Sequence, residues 1–356
     1  MGQSPDSNSY NDNGEGVPFF QGNADFGERY PFTRIWCSEP VKMASSNDIL
    51  ISVRAPIGAI NYAKEDCCIG RGLAAITPDN SKVSSEFIFW LLKGKREELN
   101  RKGTGSTFKA IGRKVLEEML IPDISLKEQR EYSTILERVY RIIWVRKLEL
   151  QELDKLIKAR FIELFGEPTT NPMGWDETTI GDECFYIKDG PHKSLPDIGK
   201  ENGGHPFISV RNIVNGYIDF STARYISDAD YADAIKKCQP EKGDMLYSKG
   251  GTTGIAKLID TDEQFANWVH VAVLKFDRSK LNGVFFENML NSAYCYEQSQ
   301  RLTKGIANRD LVLSAMAQIK MYRPPIKLQQ QFAAFVAQTN KSKVTPQKTT
   351  KNAKTH

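Results

Sequence analysis

The stretch that organises this chain is LKEQREYSTILERVYRIIWVRKLELQELDKLIKARFIELF, residues 126–165, forty positions with neither Gly nor Pro. Apolar residues recur along it by threes and fours: Tyr132, Leu136, Val139, Ile143, Leu150, Leu153, Ile157, Phe161 and Leu164. That spacing predicts a helix with one apolar seam, about 60 Å long at 1.5 Å per residue. The seam is coiled-coil-like, although position 146, where it expects an apolar residue, is Arg. Gly166 and Pro168 stop it. A helix this long separates domains or lies in a core; its length favours a spacer, with domains on either side.

The flanking segments resemble each other. Gly16-Val17-Pro18-Phe19 is echoed by Gly204-His205-Pro206-Phe207 at an offset of 188, and Asn47-Asp48-Ile49-Leu50 by Gly243-Asp244-Met245-Leu246 at 196. Lys102-Gly103 is echoed by Lys304-Gly305, and Pro122-Asp123-Ile124-Ser125-Leu126 by Pro324-Pro325-Ile326-Lys327-Leu328, both at 202. Order is kept while the offset grows, so the reading is a duplicated domain rather than a solenoid of short units. Each copy is expected to be mixed α/β. Strands are predicted at residues 49–54, 72–76, 245–248 and 269–276, and helices at about 84–100 and 283–302.

The boundaries expected from this pattern are a first domain at 1–125, the spacer helix at 126–166, a second domain at 167–327 and a shorter helix at 328–344. A Lys-rich tail at 345–356, following closely on Val344 and containing Pro346, is expected to be disordered.

Composition removes several function classes. The chain has 356 residues, 40% hydrophobic and 26% charged, enough to fold, and has no apolar run long enough to span a bilayer. Six scattered cysteines and four scattered histidines form no disulfide framework or metal motif. A cytoplasmic protein without metal or cofactor is the expectation, with no membrane partner. The net charge of +4 is carried by the tail: residues 339–356 hold five Lys and no acid, which leaves 43 basic against 44 acidic residues elsewhere. Local clustering is more telling. Residues 93–114 hold Lys93, Lys95, Arg96, Arg101, Lys102, Lys109, Arg113 and Lys114 against only Glu97 and Glu98, an anion-binding signal.

The sequences Asp48-Ile-Leu-Ile-Ser-Val-Arg54-Ala-Pro56-Ile-Gly58 and Cys67-Cys68-Ile-Gly70-Arg71-Gly72-Leu73-Ala74-Ala75-Ile76, within an order of domain, long helix, domain, helix, resemble the specificity subunit of type I restriction-modification systems. So do Gly103-Thr-Gly-Ser-Thr-Phe-Lys-Ala-Ile-Gly112, Ile121-Pro122 and Leu126-Lys-Glu-Gln129-Arg, with second-copy counterparts in Lys304-Gly305-Ile-Ala-Asn-Arg309 and Leu328-Gln-Gln-Gln331. The resemblance covers essentially the whole chain. It implies a non-catalytic DNA reader with two target recognition domains, each taking one half of a bipartite, gapped site in double-stranded DNA. It also implies antiparallel helices that dock methyltransferase (modification) subunits, in a complex with restriction or motor subunits. The docking face would comprise Leu136, Val139, Ile143, Leu150, Leu153, Ile157 and Phe161. Two departures stand out: Gly174-Trp175-Asp176 through Asp182 has no counterpart in the first copy, which lacks its opening strand, and the second helix is short.

Candidate DNA contacts follow from donor chemistry. Gly103, Thr104, Gly105 and Ser106, flanked by Arg101, Lys102 and Lys109, offer backbone N–H groups, hydroxyls and cations to phosphate oxygens. Lys249, Gly250, Thr252, Thr253 and Lys304 offer the same in the second copy. Arg54, Arg71, Arg211 and Arg309 have the fork for guanine, and Asn212 and Asn308 the amide for adenine. The same residue types also serve flexible loops, hairpin turns and internal pairing. Tyr10, Phe19 and Phe20 read as core.

Catalytic motifs are poor fits. Gly70-Arg71-Gly72-Leu73-Ala74-Ala75 mimics a dinucleotide loop but runs into Thr77-Pro78-Asp79-Asn80 instead of a helix. Asn171-Pro172-Met173-Gly174 lacks the aromatic residue of an adenine-methyltransferase loop, Pro196-Asp197 lacks the further acid and Lys of a nuclease, and no Walker loop exists. Two other readings remain open here: the recognition half of a self-contained restriction and methylation enzyme, and a truncated adaptor that binds the methyltransferase without full DNA reading.

Overall fold

The computed structural model describes residues 1–105, 109–306 and 308–344. The chain divides into two compact units, residues 1–147 and 148–356. The expected tail at 345–356 and Ser106 lie outside the described residues.

In the first unit, β1 (Val17–Phe20) runs parallel to Cys67–Ile69 and antiparallel to Trp36–Cys37, within a sheet whose outer strands are Tyr10–Asn11 and Met43–Ala44. A second sheet has β2 (Ile49–Ser52) between β3 (Ile60–Tyr62) and β4 (Leu73–Ile76), all antiparallel. Ile49, Ile51 and Ile60 face α1 (Ser85–Gly94), whose Phe87, Ile88, Phe89 and Leu92 complete the core. The chain then forms α2 (Arg96–Lys102) and α3 (Arg113–Glu117) before α4 (Leu126–Phe165). The single helix expected over 84–100 is broken at Lys95, whose ψ of 9° leaves the helical region.

The second unit repeats this plan and adds to it. It opens with β5 (Glu177–Thr179), α5 (Ile180–Glu183) and β6 (Cys184–Asp189). Strand β7 (His205–Ile208) pairs parallel with Ala266–Asn267 and antiparallel with Arg224–Ile226. The other sheet has the order β6, β10 (Val271–Phe276), β8 (Met245–Ser248), β9 (Ala256–Leu258). Helices α6 (Gly283–Leu290) and α7 (Ala293–Leu302) replace the one expected helix, because the Ser292 side chain starts a new helix by accepting the Cys295 N–H. Asn291, at the break, bonds both the N–H and C=O of Ala256 at 2.9 Å and so holds the edge strand. After α8 (Leu313–Met316) and β11 (Lys320–Tyr322), which pairs with β5, comes α9 (Ile326–Val344).

Hydrogen bonds fix the register of the duplication and correct the expected offset of 202. Gln129 Oε1 accepts the Ser84 N–H while its Nε2 donates to Ile124 O, both at 2.9 Å. Gln329 does the same between Asn282 N–H (2.8 Å) and Pro324 O (2.7 Å). Thr104 pairs with Ala110 as Lys304 pairs with Asp310. Ser84 and Asn282 stand 198 apart and the later pairs 200 apart, so Gly105 matches Gly305, and Gln329 rather than Gln331 is the partner of Gln129.

Helix α4 belongs to both units and has a different surface in each. In the second, Ile157, Phe161 and Phe165 are buried against Phe332 and Val336 of α9. The pair is antiparallel there, because Phe161 and Phe165 pack edge-on against Phe332 while Asp154 takes Lys343 at 2.5 Å. In the first unit the inward face is polar and aromatic: buried Gln129 and Ser133, Glu137 on Arg29, and Tyr140 against Trp90.

Candidate nucleic-acid interface

Each unit builds a two-stranded loop from the same bonds. In the first, Thr104 and Ala110 exchange N–H···O bonds of 3.0 and 2.9 Å, and the Lys109 carbonyl accepts the Ala55 N–H at 3.0 Å. That lays the base of the loop beside Arg54, which bridges to Ala110. A Cβ on Gly103 would meet Ile57 Cδ1 at 2.6 Å, so a side chain at this crossing would require Ile57 to shift. In the second unit Lys304 and Asp310 exchange bonds of 2.9 Å, and the Arg309 carbonyl accepts the Gly251 N–H at 3.0 Å. Lys109 and Arg309 therefore occupy equivalent places, both exposed.

The adjoining turn is equivalent too. Gly58 N–H donates to Ser52 O and Gly254 N–H to Ser248 O, closing loops 53–58 and 249–254. Asn100 Nδ2 donates to Ile57 O, as Gln300 Nε2 donates to Thr253 O, tying each turn to its helix. Arg54, Gly251 and Thr252 are exposed on these turns, while Gly250 and Thr253 are buried, Thr253 bonded to Thr303 at 2.9 Å.

Several sequence candidates have other employment. Asn212 is 1% exposed, and its amide is consumed by Ser209, Asp219 and Thr222 within one turn, so it presents nothing to a base. Lys249 is buried between Asp310 (2.9 Å) and Asp189 (3.5 Å), an internal ion pair whose place in the first unit is taken by apolar Val53. Lys93 sits in an aromatic box, its ammonium 3.8 Å from the Tyr140 ring centre, with burial lowering its pKa. Lys95 and Lys102 both hold Glu98 at 2.9 Å, Arg113 holds Glu117 at 2.7 Å, and Lys114 holds Glu118 at 3.6 Å. The Glu98 carboxyl is pulled down to about 2, first by its bond from Lys102 and then by that from Lys95.

What remains open is a smaller set. Arg54, Arg71, Arg101 and Lys109 in the first unit, and Lys304 in the second, are exposed and meet no carboxylate within 4 Å among the described residues. Arg211 is exposed with one guanidinium nitrogen on Thr222 O (2.9 Å), Arg309 is held by Gln300, and Asn308 is exposed. Sequence reading missed Ile306, which is fully exposed between Lys304 and Arg309. A lone Ile beside cations gives no pattern in one dimension; its exposure on a tight loop is what singles it out.

The chain matches the type I restriction modification DNA specificity domain over residues 2–155 and again over 172–354. It belongs to that family. Specificity subunits of these systems are non-catalytic, and the chain has two mixed-sheet domains with helical regions between and after them. The type I restriction enzyme MjaX specificity subunit of Methanocaldococcus jannaschii is 43% identical over 44% of this chain and 37% of its own length. The MjaIX specificity subunit of the same organism is 27% identical over 81% of this chain and 69% of its own. Thus the chain spans little more than a third of the first relative and about two thirds of the second. The crystal structure of a type I restriction-modification system S subunit from M. genitalium shares the fold, with a TM-score of 0.57 at 16% identity, covering 98% of this chain and 87% of that one. Among the described residues no helix is long and apolar enough to cross a membrane.

Proposed function

We propose that this specificity subunit reads a bipartite, gapped site in double-stranded DNA, each unit taking one half. The observation that supports it best is the repeated hairpin: the same backbone bonds present Lys109 in one unit and Arg309 in the other. Exposed cations on such loops bind phosphate oxygens and set register. In the first unit Arg101 and Lys109, with the Thr104 hydroxyl and the backbone of Gly105, hold the phosphates, and Arg54 and Arg71 reach base edges; Lys102 is held by Glu98, and the N–H groups of Gly103 and Thr104 are spent on Asn100 O and Ala110 O. Lys304 and Thr252 hold them in the second, with Arg211, Asn308 and Arg309 as readers and Ile306 against a thymine methyl. The two loops differ in sequence, so the half-sites differ.

The helices complete the proposal. Leu136, Val139 and Ile143, with Tyr132, Ile135 and Ile142, form an exposed apolar stripe on α4 in the first unit, suited to docking a methyltransferase subunit. Leu150 and Leu153 are half-buried, and Ile157 and Phe161 are committed to α9, so the docking face is shorter than the full seam. Restriction subunits would join through that complex. The test is selection of bound sites from random duplexes by the subunit co-purified with its methyltransferase. Two unlike conserved blocks at fixed spacing are expected; enrichment of no sequence contradicts the reading.

A further inference from the structure

The two units hold one buried carboxylate in the same backbone frame. Asp48 precedes β2 as Asp244 precedes β8. Asp48 Oδ2 accepts the Ser45 N–H at 2.9 Å, and Asp244 Oδ2 accepts the Glu241 N–H at the same distance. The Asp48 carbonyl takes the Ala63 N–H at 2.8 Å, as the Asp244 carbonyl takes that of Ile259 at 2.9 Å. Asp48 is 6% exposed and Asp244 2%.

Their counter-charges differ. In the second unit Lys275 lies 2.6 Å from Asp244 and 2.5 Å from Glu241, and Arg278 lies 3.3 Å from Asp244. Two cations there meet two carboxylates. Ile49 pairs with Ile76 as Met245 pairs with Leu274, so the counterparts of Lys275 and Arg278 are Thr77 and Asn80. The turn that follows agrees, because Ser81 Oγ donates to Asp79 Oδ1 as Ser279 Oγ does to Asp277 Oδ1, both at 2.6 Å. Ser45 stands where Glu241 does. Of the four charges the first unit keeps only that of Asp48, and among the described residues no cation lies within 4 Å of it. A carboxylate held away from water is costly unless a positive charge answers it.

Asp48, Thr77 and Asn80 line a cavity of about 610 Å³, with Asn47, Tyr30 and Tyr62 in the same wall. Two arginines also reach it. Arg29 is spent on Glu137 and lies over the Tyr62 and Phe89 rings. Arg130 and Glu86, both exposed, balance in charge, which leaves the wall with one negative charge, on Asp48.

We propose that this cavity binds one organic cation, a guanidinium or alkylammonium group, in the place against Asp48 that Lys275 and Arg278 take against Asp244. The Asn47 amide oxygen and the Thr77 hydroxyl supply further acceptors, and the Tyr30 and Tyr62 rings offer their faces to the charge. A divalent metal ion is the poorer fit, because such ions gather several acidic ligands and no group of three forms here among the described residues. The site is separate from the DNA loops and does not depend on their reading.

The test is an NMR titration of the full chain with methylguanidinium chloride, compared with sodium chloride at equal ionic strength. The amides of Ser45, Asn47 and Asp48 should shift saturably, while those of Glu241 and Asp244 stay in place because their cations are built in. Asp48→Asn keeps an oxygen for the Ser45 N–H and should weaken binding at least tenfold. Thr77→Lys, at an exposed position, should do the same by supplying the cation from the chain itself. A native chain without a saturable shift overturns the proposal, and so does binding that either variant leaves unchanged. Calorimetry with the same probe on the complex with the methyltransferase subunit separates the sources of the cation. Loss of binding there assigns the cavity to a Lys or Arg of that partner, and retained binding assigns it to a free cation such as a polyamine. That last arm alone rests on the docking proposed above.

Discussion

Lys109 and Arg309 show how a residue's role here depends on what its neighbours leave it free to do. Both sit on the same backbone scaffold, and among the described residues neither has a carboxylate within 4 Å. Lys109→Ala should lower the dependence of log affinity on log salt by about 0.9, one phosphate's worth, without changing the selected site. Arg309→Ala should instead relax one base position in one half-site, a loss of about 1–3 kcal/mol of discrimination. Glu98 works in the opposite direction by occupying Lys95 and Lys102. Glu98→Gln should free both and steepen the salt slope in DNA-binding titrations. Its carboxyl is lowered in the folded chain, so its stabilising effect is present above the ordinary 4.5 and fades as pH falls from there towards 2. Acid titration followed by NMR of the Glu98 carboxyl should place its midpoint near 2, and a midpoint near 4.5 would remove this account. Asn212→Ala should unfold the turn at 209–222 at a cost of about 1–3 kcal/mol, seen in urea titration, because it leaves buried donors and acceptors unmatched.

At the level of elements, two glutamines and one phenylalanine carry the design. Gln329 is inaccessible and ties the start of α6 to the exit of β11, so Gln329→Ala should cost the second unit about 2 kcal/mol in urea titration. Phe332→Ala should cost about 3–5 kcal/mol, since Phe161, Phe165 and the core behind them pack on that ring. Helix α4 was legible in the sequence because forty residues without Gly or Pro admit little else. The duplication was legible too, but its register was not: Lys-Gly and Pro-containing matches at 202 look alike in one dimension, while the shared task of Gln129 and Gln329 shows only in three. The helix breaks at Lys95 and Asn291 were missed too: Ser292 caps its helix locally and could have been read, whereas Lys95 offers no capping side chain to mark the break. Asn212 and Lys249 have the side chains of DNA readers, and burial alone distinguishes them. On α4 the regular seam concealed a change of environment, exposed at Leu136 and buried at Phe161.

For the molecule as a whole, the nearly balanced charge outside the tail means that recognition rests on local loops rather than on a general field. On the proposed reading, two unlike loops on one duplicated scaffold direct one complex to one asymmetric site. Loss of Arg54 and loss of Arg309 should then degrade opposite halves of the same motif. The most direct measurement is co-expression of the chain with its methyltransferase subunit, followed by genome-wide mapping of methylated adenines, for the native sequence and for these two variants. A gapped motif with two different halves is expected, Arg54→Ala blurring one and Arg309→Ala the other. Methylation without sequence preference, or both variants blurring the same half, would contradict it.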